Sequence, residues 1–563
     1  MARGHGDEAP MRVEFGLDGA GVACVFSSII HRSSSGSRYA IPCPCAMPPS
    51  ACPCHGRDLR ALNGADLRHD VICEKYHFHH ARYNKPVSRP GRRLTSTSLC
   101  KSREWGMVSR GMGPIIGGVD FTGRGYRMQL KTQIVVVGGG AGGLELVRRL
   151  GARFGRRRHD IILLERNRTH IWKPLLHEVA AGSLDANLDE VGYRSHCHRW
   201  GYRYFFGTFE SVDRAKRQVI VAPVLDEDGS EIIARHRIRY DYLVIAIGSV
   251  SNDFGIPGVA ENCMRLDDRA GADGFRNRLL NHCLRVSRAM SADPSCDAHV
   301  RVVIVGGGAT GVELAAELYN SAAALRHYGL EVFDESRLEI TLIEAGPRIL
   351  PALPERLAQA AQAELEALGV RVLTQVRVVE AKPHVIVTGS GERIEGDLLV
   401  WAAGVKAPPV LADLDLETNP LNQLIVRDTL QTTRDPRIFA MGDCCSCTPN
   451  GQDRPVPPRA QAAHQMAKTV FDNLVRDMEG KQLKPFVYHD HGSLVSLSRF
   501  STVGSLMGNL IGGRMAIEGR LARLVYTSLY RMHLIAIHGW LKGTALLVVG
   551  RVNRIVRPRL KLH

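Results

Sequence analysis

The chain has 563 residues, 44% apolar and 23% charged, which leaves room for several domains and sets aside a chain disordered throughout. Its 73 lysines and arginines exceed its 57 acids, for a formal net charge of +16. Such an excess serves nucleic acid, an anionic membrane or neither, and its location along the chain decides between them. Residues 1–127 come first and keep neither a helix nor a strand period. They hold seven of the fourteen cysteines and the Pro- and Cys-rich stretch IPCPCAMPPSACPCHGRDLR. Cys43, Cys45, Cys52, Cys54 and His55 invite a metal reading, but their proline-interrupted C-x-C spacing is not a usual zinc spacing. The segment reads as a disordered or spurious extension, with a targeting-like or regulatory role and a metal site as the alternatives. It lacks the apolar core of a signal peptide. Met128 opens MQLKTQIVVVGGG and is the expected start of the organised chain.

From there the sequence makes nearly the same loop twice. QIVVVGGGAGGLEL begins at 133 and RVVIVGGGATGVEL at 301. In each, a short β-branched run reads as a buried parallel strand and an amphipathic run follows as a helix. Between them stand Gly138, Gly140 and Gly143 in the first copy, and Gly306, Gly308 and Gly311 in the second. Glycines at this spacing allow a sharp turn and a close approach of backbone N–H groups to a pyrophosphate, at the positive end of a helix. One such loop is weak evidence; two in strand–turn–helix context are strong. Each copy has an acid at the tip of its next strand, Glu165 after DIILLE and Glu344 after LEITLIE. A carboxylate there accepts hydrogen bonds from a ribose diol and repels a 2′-phosphate. The competing reading has both acids facing solvent. The long spacing to Glu344 is expected to hold an extended helix and loop.

A third block, LQTTRDPRIFAMGDCC, is predicted as a strand ending at Gly442-Asp443. With it, the chain resembles the flavoproteins that have two dinucleotide-binding domains. That resemblance implies an α/β fold of two Rossmann-like domains, glutathione-reductase-like, in which the chain leaves the FAD domain, builds an NAD domain and returns. It implies FAD on the first loop, NADH on the second and Asp443 on the flavin ribityl chain. It also implies two crossovers, at AIGS (246–249) and at WAAGV (401–405), which contains Gly404. The expected division is 1–127 extension, 128–247 FAD domain, 248–404 NADH domain, 405–485 returning FAD part and 486–563 a membrane-associating region. Hydride transfer between two such cofactors needs positioning more than acid–base chemistry.

Disulfide reductases of this architecture carry a cysteine pair soon after the ribose acid. Here that stretch, RNRTHIWKPLLHEVAAGSLD, has none, so a disulfide relay on that helix is excluded. THIWKPLLHEVAAGSLD, PPRAQAAHQMA and FVYHDHGSLVSLSRFSTVGSLMG instead resemble the type II NADH dehydrogenases, the non-proton-pumping NADH:quinone oxidoreductases. The resemblance runs from about Lys131 to His563. It implies Lys173 and Ala460 beside the flavin, Gln461 and Gln465 at a quinone site, Glu313 near the nicotinamide–flavin stack, and Tyr488 and His491 on the quinone side. Some family members have Lys where this chain has His491, which puts a proton-donor role there in doubt. Gln461 and Gln465 lie four apart, on one helix face, and neutral amides suit an apolar quinone tunnel. The blander readings are a helix cap with two solvent-facing amides, a structural Glu313, and packing by Tyr488 and His491. The run Cys444-Cys445-Ser446-Cys447 reads as metal-reactive, redox-active or, more commonly, as small thiols packed below the flavin.

From Gly519 onward there are nine Lys or Arg and no acid. Leu521, Leu524, Val525 and Leu529 fall on one helical face with Arg523 and Arg531 nearer the polar side. The longest uncharged run, 532–541, is far short of the roughly 20 residues a span requires. Amphipathic helices on an anionic membrane surface are therefore expected, with a core-packing domain or a transmembrane hairpin as alternatives. The partners expected are a quinone, the inner-membrane lipid surface on its cytoplasmic side and a second copy in a homodimer, without nucleic acid or bound metal. Two other functions share parts of the pattern. A sulfide:quinone oxidoreductase would need two reactive cysteines and no nicotinamide loop, and a nucleic-acid-binding or signalling flavoprotein would need a basic stripe on the folded body.

Overall fold

The computed structural model describes residues 131–325, 333, 335–497, 501–508 and 513–556. The extension 1–127, its cysteines and Met128 lie outside the described residues, as do 509–512 within the SLMGNLIGG stretch and the basic end of the chain, 557–563.

The first glycine loop joins strand Gln133–Val137 to helix α1, Ala141–Arg158. The strand is β-branched and fully buried after Gln133, and it sits in a five-stranded parallel sheet. The sheet order is Ile438–Ala440, Tyr242–Ile245, Gln133–Val137, Asp160–Glu165, Arg203–Phe206. Its first strand arrives from nearly 200 residues beyond its neighbour, so this domain is closed by a late return of the chain. A segment after the second strand forms α2, Leu176–Ala181, and then α3, Tyr193–Trp200. Leu176, Val179 and Ala180 of α2 pack among the residues of the second domain rather than its own sheet.

That second domain repeats the plan. α4, Arg269–Ala292, precedes strand Val300–Val305, and the second loop leads into α5, Ala309–Leu325. The four-stranded parallel sheet has the order Arg371–Leu373, Leu338–Ile343, Val300–Val305, Leu398–Trp401. Each domain also carries a three-stranded antiparallel sheet, Phe209–Asp213 with Gln218–Val221 and His236–Arg239 in one, Val378–Lys382 with Val385–Thr388 and Arg393–Glu395 in the other. The two crossovers touch: Val250–Ser251 pairs antiparallel with Val405–Lys406. Gly404, at φ +61, fits where a Cβ would meet the Phe254 ring at 2.6 Å.

The returning chain forms helix α6, Ala460–Met478, which is packed on α1. Beyond it come an antiparallel sheet of Gly492–Leu497, Ser501–Gly508 and Gly513–Glu518, then α7, Gly519–His538, and α8, Trp540–Val556. No helix among the described residues is long and apolar enough to cross a membrane. The last two helices behave differently. α7 places His533, Leu534 and Ile537 in the core of the first domain, with Ile537 fully buried. α8 leaves Trp540 71%, Leu541 79% and Val548 66% exposed. The core-packing alternative thus holds for His533, Leu534 and Ile537 of α7, while α8 touches the same core through Leu547 and leaves most of its described apolar residues exposed.

Candidate active site

The two loops are built alike. Gly138 at φ +98 and Gly306 at φ +116 adopt backbone that side chains avoid, each against the strand end at 246 or 402. Gly143 and Gly311 close the helix onto the loop: a Cβ at either would strike the carbonyl oxygen of Gly138 or of Gly306. Gly140 and Gly308 face open space, with nothing within 4 Å of an added Cβ. Backbone donors of the first helical turn have no intrahelical acceptor and point into that space. A diphosphate suits such a cradle in charge and in size.

The two strand-end acids are held at the loops. Glu165 accepts from Gly139 N at 2.6 Å and, with its other oxygen, from the Asn167 backbone at 2.9 Å. Glu344 accepts from Gly307 N at 2.7 Å and from Gly346 N at 2.6 Å. Both carboxylates are therefore positioned beside the loop, where a ribose diol would compete for their oxygens, rather than turned to solvent. Tyr193 supports the first loop by donating its hydroxyl to Gly139 O at 2.7 Å.

Around the first loop, Asp443 accepts from Ser249 Oγ at 2.8 Å, and Lys173 donates to Ser249 O at 2.9 Å. These bonds bring together three stretches that the sequence separates by up to 270 residues, among them the first crossover. Ser249 was not singled out from sequence, although it lies in the AIGS turn. Cys444 and Cys445 donate to the carbonyls of Met441 and Gly442 at 3.3 Å. Burial pushes the Cys444 and Cys447 thiols up to about 11 and raises Cys445 well above the usual thiol range, so all three are packed thiols at neutral pH.

Ala460 and Gln461 start α6. Gln461 donates to Asp490 and to Gly492 O, both at 3.1 Å, and accepts from His491 N at 3.1 Å. Gln465 donates to His489 O at 2.8 Å and accepts from His489 N at 2.9 Å. Both amides thus fasten the backbone of 489–492 to α6, a task the sequence reading did not foresee. Arg459 adds contacts to both Asp490 oxygens at 3.2 Å. The fastened segment carries Tyr488 and His491. The Tyr488 hydroxyl is buried with no partner in hydrogen-bonding geometry among the described residues, although Arg459 is near. The His491 side chain is exposed.

Glu313 stands at the same place after its loop as Glu145 after the first, two residues beyond the last glycine. Both are buried, and both have a histidine. Glu313 lies 3.5 Å from His177 Nδ1 and accepts from Ser496 N at 3.1 Å. Burial brings His177 down to about 4, against the Glu317 carboxylate and the Pro174 carbonyl, so it is neutral at pH 7. Glu145 bonds His464 Nδ1 at 2.5 Å and Arg149 Nε at 2.8 Å. Burial raises the Glu145 pKa, but His464 and Arg149 outweigh it and hold the carboxyl below its usual range. From His464 a line continues: His533 Nδ1 at 3.4 Å from His464 Nε2, then His170 Nε2 at 2.9 Å from His533 Nε2, with the Trp172 ring tilted against His533 at 3.9 Å between centroids. Sequence reasoning missed His177, His170 and His533. The repeated glycine-x-glutamate after each loop was a visible signal for a pair of equivalent carboxylates, but their partners come from far along the chain.

The model of the pyridine nucleotide-disulphide oxidoreductase family matches residues 132–467. A type II NADH:quinone oxidoreductase of Haemophilus influenzae is 46% identical over 442 residues, which cover 76% of this chain and 99% of that protein. One from Staphylococcus aureus is 28% identical over 69% of this chain and 93% of its own length. Among solved structures, NDH2 from Plasmodium falciparum in complex with NADH superposes with a TM-score of 0.64 at 19% identity, over 77% of this chain and all of that one. The sulfide:quinone oxidoreductase of Aquifex aeolicus has the same fold, with a TM-score of 0.56 at 19% identity over 75% of this chain and 95% of that one. With two loops of one construction, their acids in place and a relative matched from end to end, the chain belongs to the type II NADH:quinone oxidoreductases of the pyridine nucleotide-disulphide oxidoreductase family.

Proposed function

We infer that the two loops hold two dinucleotides and that the chain is an FAD-dependent NADH:quinone oxidoreductase. The paired construction of the loops, with Glu165 bonded to Gly139 N and Glu344 to Gly307 N, is the observation that carries this reading. FAD, held by Gly138, Gly140, Gly143, Glu165, Lys173, Asp443 and Ala460, supplies a two-electron acceptor for the hydride of NADH and a donor to quinone. Gly306, Gly308, Gly311 and Glu344 bind NADH, and Glu344 disfavours a 2′-phosphate by like charge. Gly404 lets the second crossover pass Phe254 and so sets the two domains' approach.

On the acceptor side, Gln461 and Gln465 hold the 489–492 backbone, and the Tyr488 hydroxyl is a donor in need of an acceptor. A quinone carbonyl would fill that need without a buried charge. Glu313, kept beside neutral His177, is placed to hold or release a proton as the quinone gains two electrons and two protons overall. A sulfide:quinone reaction fits less well, since Cys444, Cys445 and Cys447 are buried thiols and the nicotinamide loop is intact. Purification in detergent, a flavin spectrum and NADH oxidation with and without a soluble quinone test the reading; sulfide-dependent turnover with no NADH bleaching would overturn it.

The exposed apolar face of α8 and the acid-free basic end support attachment to a membrane surface; the cytoplasmic side of the inner membrane and the absence of proton pumping are carried as proposals from the resemblance. A homodimer and the five-part division of the chain are carried as proposals from the same resemblance. Because α7 is part of the first domain's core, the informative truncation ends at Gly539, not at Gly519. Residues 1–539 should retain flavin and reduce a soluble quinone yet no longer float with vesicles. Unchanged flotation would place the anchor elsewhere.

A further inference from the structure

Trp200, the last residue of α3, has two guanidinium groups over its ring: Arg148 Cζ lies 5.2 Å and Arg199 Cζ 5.3 Å from the ring centroid. Neither arginine has an ion-pair partner among the described residues. The nearest acid along α1 is Glu145, whose carboxylate is taken by Arg149 and His464. Arg148 is half-buried, and burial together with Arg149 works against its charge. Its Nε–H and the Trp200 Nε1–H are shielded from solvent and have no acceptor among the described residues. One half-buried arginine, one exposed arginine and two orphaned donors therefore share one aromatic ring. Leaving a buried donor unpaired is costly, and a cation so placed favours an anion with several oxygens.

The surroundings say which anion. Gly539, the turn between α7 and α8, lies against this ring, since a Cβ there would come within 3.4 Å of Trp200. The next two residues, Trp540 and Leu541, are 71% and 79% exposed; Lys542 follows them exposed, and His198 is exposed on α3 two residues before Trp200. An indole flanked by two arginines thus adjoins the most exposed apolar residues of the described chain. That combination matches one molecule in two parts, an anionic phosphodiester with acyl chains attached. A free phosphate or a nucleic acid would have no use for Trp540 and Leu541.

We propose that Arg148, Arg199 and Trp200 form a site for the phosphodiester of an anionic phospholipid, at the rim of the apolar face of α8. The inference rests on the reading of α8 as a membrane-surface helix and adds the lipid class that the surface selects. Arginine suits this task because its planar fork can bind two phosphate oxygens and stack on the indole at once.

The test is flotation of the full-length flavoprotein with phosphatidylcholine vesicles, with and without phosphatidylglycerol. The R148Q/R199Q variant is compared with wild type and with R278Q/R285Q, which removes the same charge from exposed positions on α4. Wild type should prefer the phosphatidylglycerol vesicles. R148Q/R199Q should lose roughly thirtyfold in affinity for them, at about a factor of five for each arginine near an anionic surface. It should keep its affinity for phosphatidylcholine alone, and R278Q/R285Q should change by no more than roughly threefold. Trp200→Phe, which keeps a ring but removes the indole donor, should lose roughly fivefold. Bound flavin, read by absorbance, confirms that each variant is folded. Equal losses in the two double variants would overturn the site in favour of general charge attraction. Equal binding of wild type to both vesicles would overturn the site and leave the membrane reading standing. Failure of wild type to float with either would overturn both.

Discussion

The two glycine loops are copies in backbone but not in surroundings, and the carboxylate two residues beyond each shows the difference. Glu145 is bonded wholly within the first domain and its late-arriving helices, to Arg149 and His464. Glu313 reaches outward, to His177 from the stretch after the first loop and to Ser496 of the C-terminal sheet. A repeated loop therefore yields a fixed brace in one half and a junction between parts in the other.

The sharpest way to break the comparison is to damage each loop at the same place. A Cβ at Gly143 or Gly311 strikes a backbone carbonyl that cannot yield. Gly143→Ala should purify with little or no flavin. Gly311→Ala should keep its flavin while kcat/KM for NADH falls roughly hundredfold, as a few kcal/mol of overpacking predicts. Flavin loss in both variants would mean that the loops do not bind separate nucleotides. The strand-end acids give the next effect. Glu344→Gln should narrow the preference for NADH over NADPH by roughly tenfold to hundredfold, while Glu165→Gln leaves that ratio alone. Steady-state kinetics with both nucleotides would show it, and an unchanged ratio in Glu344→Gln would remove that residue from the ribose site.

On the acceptor side, a Gln461→Leu/Gln465→Leu variant frees the 489–492 backbone from α6. Stopped-flow traces should show reduction by NADH intact and reoxidation by quinone slowed roughly tenfold. Slowed reduction with normal reoxidation would exchange the two assignments. The smallest effect is on stability. Burial lowers the His170 pKa to about 3, so the neutral form is favoured in the folded protein. Its contribution is complete above the unfolded value near 6.5 and is lost as the pH falls toward 3. At pH 5 the loss is about 2 kcal/mol, or about 2 °C in Tm for a body of this size. His170→Gln cannot take up that proton, so its Tm deficit against wild type should shrink between pH 7.5 and pH 5. A constant deficit would show that the histidine line has no part in the acid sensitivity.

Much of the fold was legible because local signals repeat. Strand, glycines, helix and acid recur in order, and each is set by neighbours within about 35 residues. Gly442-Asp443 and the crossover turns were legible from the same kind of short pattern. The site was readable as a set of residue types but not as a set of contacts. Gln461 and Gln465 were found as an amide pair on one helix face, yet that both would grip the 489–492 backbone depends on a turn no periodicity describes. His177, His170 and His533 escaped because an isolated histidine carries no period, and each gains meaning only from a partner far along the chain. The division of labour between α7 and α8 was hidden for a similar reason: both are amphipathic and basic, and only docking against the first domain tells them apart.

The late strand Ile438–Ala440 and the buried residues His533 to Ile537 also set an order of assembly on the ribosome. The second domain's parallel sheet draws all four strands from one continuous stretch, Val300 to Trp401, and can close while synthesis is still under way. The first domain begins earlier but cannot finish: its sheet waits for residue 438 and its core for residue 537. Long-range closure of this kind is slow and leaves apolar surface open in the meantime. The nucleotide loop made first is thus the last to be completed. Flavin capture should follow release of the finished chain, and a nascent chain stalled before residue 530 should carry none.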